Sequence, residues 1–151
     1  MATGQDIGEL VIRGATTGDC RALEDLIDQL GYHPAEAEIA ERLATMEREG
    51  RLVLVAEVDG EVVGCLSTSV MRVLHRPAPV GRISMMVVDA ALRGRGIGAA
   101  LVRAAERALT ASGCGLVEVT SHQSRTDAHR FYERLGYERT SVRLAREPGS
   151  E

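Results

Sequence analysis

The segment Arg93-Gly94-Arg95-Gly96-Ile97-Gly98 combines residue types that suit the binding of a phosphate group. Glycines let a backbone approach an anion closely, and arginine guanidinium groups match the geometry of phosphate oxygens. An amphipathic segment follows this stretch, and the first amides of a helix have no acceptor within the helix and carry a partial positive charge. The spacing therefore predicts a phosphate-binding turn that leads into a helix. The structural alternative is a glycine-rich turn whose arginines bind no ligand.

The same residues also match a dinucleotide-binding pattern. Gly94-Arg95-Gly96-Ile97-Gly98-Ala99 fits G-x-G-x-x-A, and Glu118 follows at about the usual distance. That pattern normally belongs to consecutive β-α-β units, whereas here a hairpin precedes the turn and only about fifty residues follow it. The nicotinamide dinucleotide is therefore the less favoured ligand.

Two motifs in order resemble the GNAT superfamily of N-acetyltransferases. Arg93, Gly96 and Gly98 fit the R/Q-x-x-G-x-G/A motif of that family, and the block from Ala128 to Tyr137 resembles its C-terminal helix motif. The resemblance implies a mixed α/β (α+β) fold, with a mostly antiparallel sheet of six to seven strands flanked by helices. We expect a single domain over residues 1–151, with a core of about 9–145 and a disordered tail at 146–151.

The resemblance also implies acetyl-CoA as the cosubstrate. Its pyrophosphate would be bound by the glycine turn, and its pantetheine arm would pair with the backbone of the preceding strand, whose apolar side chains also suit a core. The residues so assigned are Arg93, Gly94, Arg95, Gly96, Ile97, Gly98 and Ala99 in the turn and Met86, Val87 and Val88 in the strand. Arg125 stands where the family often has an asparagine, and it would contact phosphate instead.

Tyr132 is, by the same resemblance, the proton donor to the departing CoA thiolate. The structural alternative is that Tyr132 and Phe131 are aromatic core anchors of the last helix, and both roles can coexist. The family often carries an acidic side chain on the fourth strand, but Arg82 and Ser84 occupy the corresponding positions here. Glu118 and His122 are the remaining titratable candidates for the base, and a chain of water molecules is a third possibility.

The elements that position these residues follow from the hydrophobic periodicity. Asp59-Gly60 predicts a tight hairpin turn, and Asp19 predicts a helix N-cap. The apolar run before the glycine turn is typical of a central strand. The predicted strands are Leu10–Arg13, Leu52–Val58, Glu61–Met71, Ile83–Val88, Leu116–Thr120 and Tyr137–Leu144, and the predicted helices run from Asp19 to Gly31, from Pro34 to Gly50, from Gly98 to Ser112 and from Thr126 to Leu135.

Composition excludes several classes of chemistry. The chain has 151 residues and no lysine, so all 18 basic side chains are arginines and a Schiff-base or P-loop lysine is ruled out. The three cysteines form no C-x-x-C pair, and no spacing suggests a metal site. The cysteine pattern favours a reducing cytoplasm, and no apolar run approaches the length of a membrane-spanning helix, so we expect a cytoplasmic protein without a membrane span. Because the net charge is −4 and no basic cluster occurs, we expect no nucleic-acid partner. Because members of the family that this sequence resembles are often homodimers, we expect a homodimer.

The resemblance to the GNAT superfamily implies an enzyme that transfers the acetyl group of acetyl-CoA to a primary amine of a small molecule or peptide. The alternative is a non-catalytic acyl-CoA-binding regulatory module, because the usual carboxylate is missing at Ser84. Nine acidic residues against three arginines between Asp19 and Glu49 are typical of a solvated helix face, although they would also attract a cationic amine.

Overall fold

A computed structural model describes residues 8–121 and 125–149. The contacts within the chain group it into two compact units, Met1–Glu118 and Val119–Glu151. The first unit contains the sheet and three helices, and the second contains one helix and the C-terminal segment. The single domain expected from chain length stays a prediction.

In the described residues, five strands form one sheet in the order of the chain. The first three pairings are antiparallel. Asp59 and Gly60 connect the second and third strands with φ angles of 50° and 83°, which are the positive values that a two-residue hairpin turn requires. The strands are β1 (Leu10–Gly14), β2 (Val53–Val58), β3 (Glu61–Met71), β4 (Val80–Val88) and β5 (Leu116–Val119).

The last strand, β5, runs parallel to β4, because the residue numbers of the contacting pairs increase together along both segments. The Gly115 N–H donates to the Pro79 carbonyl at 2.9 Å, and three residues further along each segment Arg82 donates to Glu118. By this register β5 flanks only the first half of β4, with Glu118 beside Arg82. The third helix supplies the crossover connection that parallel strands need.

The helices lie close to their predicted bounds. They are α1 (Cys20–Gln29), α2 (Glu36–Arg48), α3 (Ile97–Ala111) and α4 (Thr126–Arg134), with short 3-10 helices at Thr17–Asp19 and Ala90–Leu92. The first three helices belong to the first unit, and α4 belongs to the second.

Helices cover both faces of the sheet in the first unit. On one face, Val55, Cys65 and Val87 form a buried cluster with apolar side chains of α1 and α2. On the other face α3 packs so closely that a Cβ at Gly81 would lie 2.9 Å from the methyl carbons of Leu109. Glycine is therefore needed at this position for α3 to sit against β4.

Asp19 precedes α1 as predicted, but its carboxylate does not cap that helix. It accepts hydrogen bonds from the Thr16 N–H at 2.8 Å and from both terminal nitrogens of Arg13 at 2.8 Å. The Arg13 Nε donates to Glu57 at 2.9 Å. The hydrogen bond from Arg13 lowers the pKa of the Asp19 carboxyl, and this network fastens the start of α1 to β1 and β2.

The prediction of a last strand over Tyr137–Leu144 is wrong. This segment has no regular secondary structure, and Val142 and Leu144 are 83% and 90% exposed. Alternating apolar and charged residues indicated a strand there, but a strand is stable only when a neighbour accepts and donates its backbone hydrogen bonds. The sheet of the described residues is thus smaller than the six to seven strands expected, whereas the mixed α/β fold class is confirmed.

Candidate active site

The turn between β4 and α3 is open around its glycines. Gly94 and Gly96 have φ angles of 79° and 83°, a conformation that favours glycine. Apart from the adjoining residues, no heavy atom of the described chain lies within 4 Å of a Cβ placed on either glycine. Arg93 and Arg95 are exposed beside them. The backbone of this turn is therefore accessible to a ligand.

Helix α3 begins at this turn without a side-chain cap. Gly96 is its N-cap residue, and the Ala100 N–H donates to the Gly96 carbonyl at 3.0 Å. The amides of Ile97, Gly98 and Ala99 precede that hydrogen bond, so they have no acceptor within the helix. Because these amides lie at the positive end of the helix dipole, they suit the phosphate oxygens of a pyrophosphate.

Successive residues of β4 direct their backbone N–H and C=O groups alternately toward β3 and toward the side of β5. The Asp89 N–H donates to the Val63 carbonyl of β3 at 2.8 Å. By the alternation of antiparallel pairs, Val87 also pairs toward β3, whereas Met86 and Val88 direct their N–H and C=O groups to the side of β5. The side chain of Val87 is 3% exposed and lies in the core. Met86 and Val88 thus provide backbone groups beyond the end of β5.

Strand β4 carries one residue more than β3 at Ser84. Ser67 pairs with Met85, and Thr68 pairs with Ile83, so Ser84 is the extra residue of a β-bulge. The Ser84 Oγ lies 2.9 Å from the Ser67 Oγ and donates to the Ser67 carbonyl at 3.2 Å. Ser84 is exposed and Ser67 is buried. The bulge therefore presents the Ser84 hydroxyl at the surface, where its hydrogen bonds to Ser67 hold it in place.

Arg82 and Glu118 form an ion pair between β4 and β5. The Nε and Nη2 atoms of Arg82 both donate to Oε1 of Glu118, at 3.0 and 2.8 Å. Their side chains are 34% and 35% exposed. This contact occupies one oxygen of Glu118, the first candidate base. The second candidate, His122, lies outside the described residues, so the assignment of the base stays a prediction.

In the second unit, Tyr132 of α4 is 8% exposed. Its ring makes T-shaped contacts with Phe131 and Tyr137, at centroid distances of 5.0 and 5.7 Å. Burial raises the pKa of Tyr132 to about 12, and the positive charge of Arg125 opposes this effect. Arg125 is exposed at the N-cap of α4. The phenol therefore keeps its proton at neutral pH, as a general acid must.

The described residues give little support to catalysis by a metal ion or by a cysteine nucleophile. Within residues 8–121 and 125–149, no group of three His, Cys, Asp or Glu side chains is placed to hold a metal ion. Burial raises the pKa of Cys65 to about 12, so this thiol is not a nucleophile. None of the helices in the same part of the chain is long and apolar enough to cross a membrane.

Comparison with known proteins decides the family. Residues 20–137 match the model of the acetyltransferase (GNAT) family. The chain belongs to the GNAT family. The match includes the glycine turn, β5 and the block around Tyr132, and members of this family are acyltransferases that use acetyl-CoA.

Relatives of this GNAT protein include a curated enzyme and solved structures. The chain is 34% identical over 140 residues to aminoalkylphosphonate N-acetyltransferase from Salmonella typhimurium, and the alignment covers 89% of each protein. It is 22% identical to glucosamine-6-phosphate N-acetyltransferase from Arabidopsis thaliana, with a TM-score of 0.83 over 93% of this chain and 99% of that one. An aminoglycoside N-acetyltransferase in complex with CoA is also 22% identical, with a TM-score of 0.81 over 93% and 95%. These two structures support the fold.

No sequence motif marks Ser67 and Ser69 as site residues of this GNAT protein. Both lie on β3, and Ser69 is directly opposite Arg82 in the register. The available signal was two serines at a spacing of two, on either side of Thr68 in a mostly apolar strand. That spacing places both side chains on one face of the sheet.

Proposed function

We propose that this protein transfers the acetyl group of acetyl-CoA to a primary amine of a small molecule or peptide by direct attack of the amine nitrogen on the thioester carbonyl. The observation that carries the proposal is the open turn from Arg93 to Gly98, which leads into the uncapped start of α3. The nitrogen forms the amide bond, the C–S bond breaks, and CoA leaves as the thiol.

The residues of the first unit bind the cosubstrate. The amides of Ile97, Gly98 and Ala99 donate to the pyrophosphate, and Arg93 and Arg95 balance its charge. Gly94 and Gly96 keep the turn open because neither carries a Cβ. The backbone groups of Met86 and Val88 pair with the amides of the pantetheine arm, in the way that an extended peptide adds to a sheet edge. Arg125, which belongs to the second unit, is the further phosphate contact that the family resemblance implies.

Tyr132 supplies the proton that the departing thiolate needs. With a phenol pKa of about 12 and an ordinary thiol pKa of about 8.5, this transfer taken alone is uphill by roughly 5 kcal/mol. It must therefore be coupled to cleavage of the C–S bond. Because of the same high pKa, the phenol is protonated over the whole neutral range. It therefore carries its proton at the start of each catalytic cycle.

The acceptor amine must lose protons. An alkyl ammonium with a pKa near 10.4 costs about 4.6 kcal/mol to deprotonate at pH 7. Glu118 and His122 are the titratable candidates for the base, and water relayed along the hydroxyls of Ser67 and Ser84 is the third route. One proton leaves the ammonium group before the nitrogen attacks the carbonyl. A second proton leaves the nitrogen as the amide forms, and it restores the proton that Tyr132 gives to the thiolate.

The curated relative directs the choice of acceptors. Its name specifies aminoalkylphosphonates, so 2-aminoethylphosphonate is the first acceptor to examine in this protein, beside a diamine, an aminoglycoside and a peptide with a free amino terminus. These four probes differ in charge and size, so they separate the acceptor classes that the family resemblance leaves open.

The test is the release of CoA from acetyl-CoA across this panel, with product mass as a second readout. We expect acetylation of at least one amine by the wild-type protein and a large loss in Tyr132→Phe. A protein that binds acetyl-CoA tightly but acetylates none of the amines would support the regulatory-module alternative. Equal turnover by the wild type and Tyr132→Phe would exclude Tyr132 as the acid without excluding the activity.

A further inference from the structure

Two arginines of the sheet form ion pairs, and they differ in how many of their donors are engaged. Arg13 donates through all three side-chain nitrogens to Asp19 and Glu57. Arg82 donates only through Nε and Nη2, and both bonds end on a single oxygen of Glu118. Its Nη1 makes no hydrogen bond to the described residues, and the side chain is 34% exposed. Arg82 thus retains donors for a ligand.

Arg82 belongs to a polar strip on the sheet face that α1 and α2 partly cover. Cys65 lies in the core beneath these helices, and side chains two residues apart on a strand share a face. Ser69 therefore lies on the same face as Cys65, opposite Arg82, and Ser84 follows Arg82 on that face. The members of the polar strip are Ser67, Ser69, Arg82, Ser84 and Glu118.

We propose that Arg82 binds an acidic group of the acceptor, so that the substrate is an amine that also carries a phosphonate, phosphate or carboxylate. This inference rests on the proposed acetyl transfer and specifies its acceptor. A guanidinium edge binds an oxyanion through two parallel hydrogen bonds. The hydroxyl group of Ser69 adds a neutral donor on the same face.

Glu118 is the positioning residue for Arg82. It holds the Nε–Nη2 side of the guanidinium toward β5, so the Nη1 side remains for the acceptor. It also cancels the charge of Arg82, so binding depends on hydrogen-bond geometry more than on net charge. A zwitterionic acceptor suits such a pair, because its ammonium group offsets the repulsion between its acid and Glu118.

The acidic residues of α1 and α2 could attract a purely cationic acceptor, but they support it less strongly than Arg82 supports an acid-bearing one. Three of the nine carboxylates between Asp19 and Glu49 are already in ion pairs, with Arg13, Arg42 and Arg51, and a fourth, Asp28, contacts the His33 ring. Pairs of this kind leave less negative charge to attract a polyamine.

The test compares three acceptors of similar length: 2-aminoethylphosphonate, β-alanine and propylamine, which carry a phosphonate, a carboxylate and no acid. KM and kcat are measured for the wild type, Arg82→Gln, Arg82→Lys and Glu118→Gln. Arg103→Gln is the control, because Arg103 is an exposed arginine on α3 that pairs with Glu106 outside the polar strip. Calorimetric binding of 2-aminoethylphosphonate to protein saturated with CoA gives a readout that does not depend on turnover.

We expect Arg82→Gln to raise KM for the acid-bearing acceptors by about tenfold or more, the usual effect of losing a hydrogen bond to a charged group. KM for propylamine and the Tm should stay close to wild type. Arg82→Lys should retain part of the preference, and Glu118→Gln should raise KM for the acid-bearing amines with a smaller change in kcat. A lower KM for 2-aminoethylphosphonate than for β-alanine would identify a phosphonate or phosphate as the acid.

Two results would overturn the inference. One is a wild-type protein that neither binds 2-aminoethylphosphonate nor acetylates β-alanine with a lower KM than propylamine. The other is an equal change of KM for all three acceptors in Arg82→Gln. Binding of 2-aminoethylphosphonate that is lost in Arg82→Gln, without acetylation of any amine by the wild type, would support this inference and contradict the proposed function.

Discussion

The Oγ atoms of Ser84 and Ser67 lie 2.9 Å apart at the point where β4 carries one residue more than β3. The extra residue reconciles two packing requirements of β4. Gly81 faces α3, whereas Val87, an even number of positions later, faces α1 and α2. A regular strand would place both on one face. The bulge therefore lets β4 contribute to both cores and presents a fixed hydroxyl where the faces change.

Tyr132→Phe tests the proposed acid. We expect kcat to fall by roughly 100- to 10,000-fold, the usual contribution of a general acid, while KM for acetyl-CoA stays close to wild type. Steady-state CoA release measures both constants. Tyr32→Phe is the matched control, because Tyr32 is 69% exposed in the segment between α1 and α2. A similar loss in both variants would contradict the role of Tyr132.

The glycine turn gives a second prediction. Gly96→Ala places a Cβ on a residue with a φ of 83° and on the face of the turn that we assign to pyrophosphate. We expect a loss of about 1 kcal/mol in the free energy of unfolding from backbone strain, together with a several-fold higher KM for acetyl-CoA.

Gly113→Ala separates these two effects. Gly113 has a φ of 91° and equally open surroundings, but it lies at the other end of α3. Urea unfolding should show a similar loss of stability in this variant, and kinetics should show an unchanged KM. If the KM for acetyl-CoA rose equally in both variants, the turn would have no special role in binding.

Local patterns predicted much of this protein, and long-range contacts account for the rest. The turn from Arg93 to Gly98 and the apolar stripe of α3 are determined within a few residues of sequence, and both were predicted. The ion pair between Arg82 and Glu118 joins residues 36 positions apart, and no periodicity encodes it. The segment after Tyr137 has the alternation of a strand but no pairing partner, so its pattern alone misled the prediction.

The candidate bases can be separated by a third experiment. We expect His122→Gln, rather than Glu118→Gln, to lower kcat for every amine, because Arg82 already occupies one oxygen of Glu118. The kcat values for propylamine and a diamine provide the measurement. If neither variant affected kcat, a water relay would remain as the route for the proton. A uniform loss in Glu118→Gln alone would assign the base to Glu118.

The pH dependence of stability follows from Asp19. The hydrogen bond from Arg13 is the largest cause that lowers the pKa of this carboxyl below its ordinary value. Folding thus favours the ionised form, so its stabilisation is complete above that ordinary pKa and is lost as the pH falls through the lowered value. Urea unfolding between about pH 7 and pH 3 should show this decrease.

Arg13→Gln should remove most of that decrease, and it should also destabilise the protein at neutral pH. Arg42→Gln is the control, because Arg42 forms an exposed pair with Glu38 on α2 and should change the unfolding free energy little. A decrease below pH 4 that is unchanged in Arg13→Gln would show that other carboxylates cause it.

The close packing of α3 against β4 can be tested at Gly81. A methyl group at this position would lie 2.9 Å from Cδ1 and Cδ2 of Leu109, so we expect Gly81→Ala to reduce the free energy of unfolding by about 1–3 kcal/mol. Gly14→Ala is the matched strand control, because nothing lies within 4 Å of its Cβ position. Leu109→Ala should also destabilise the protein, but the double variant should lose less than the two single variants together, because the smaller side chain relieves the contact. Additive losses in this double-mutant cycle would mean that Gly81 is needed for a reason other than its contact with Leu109.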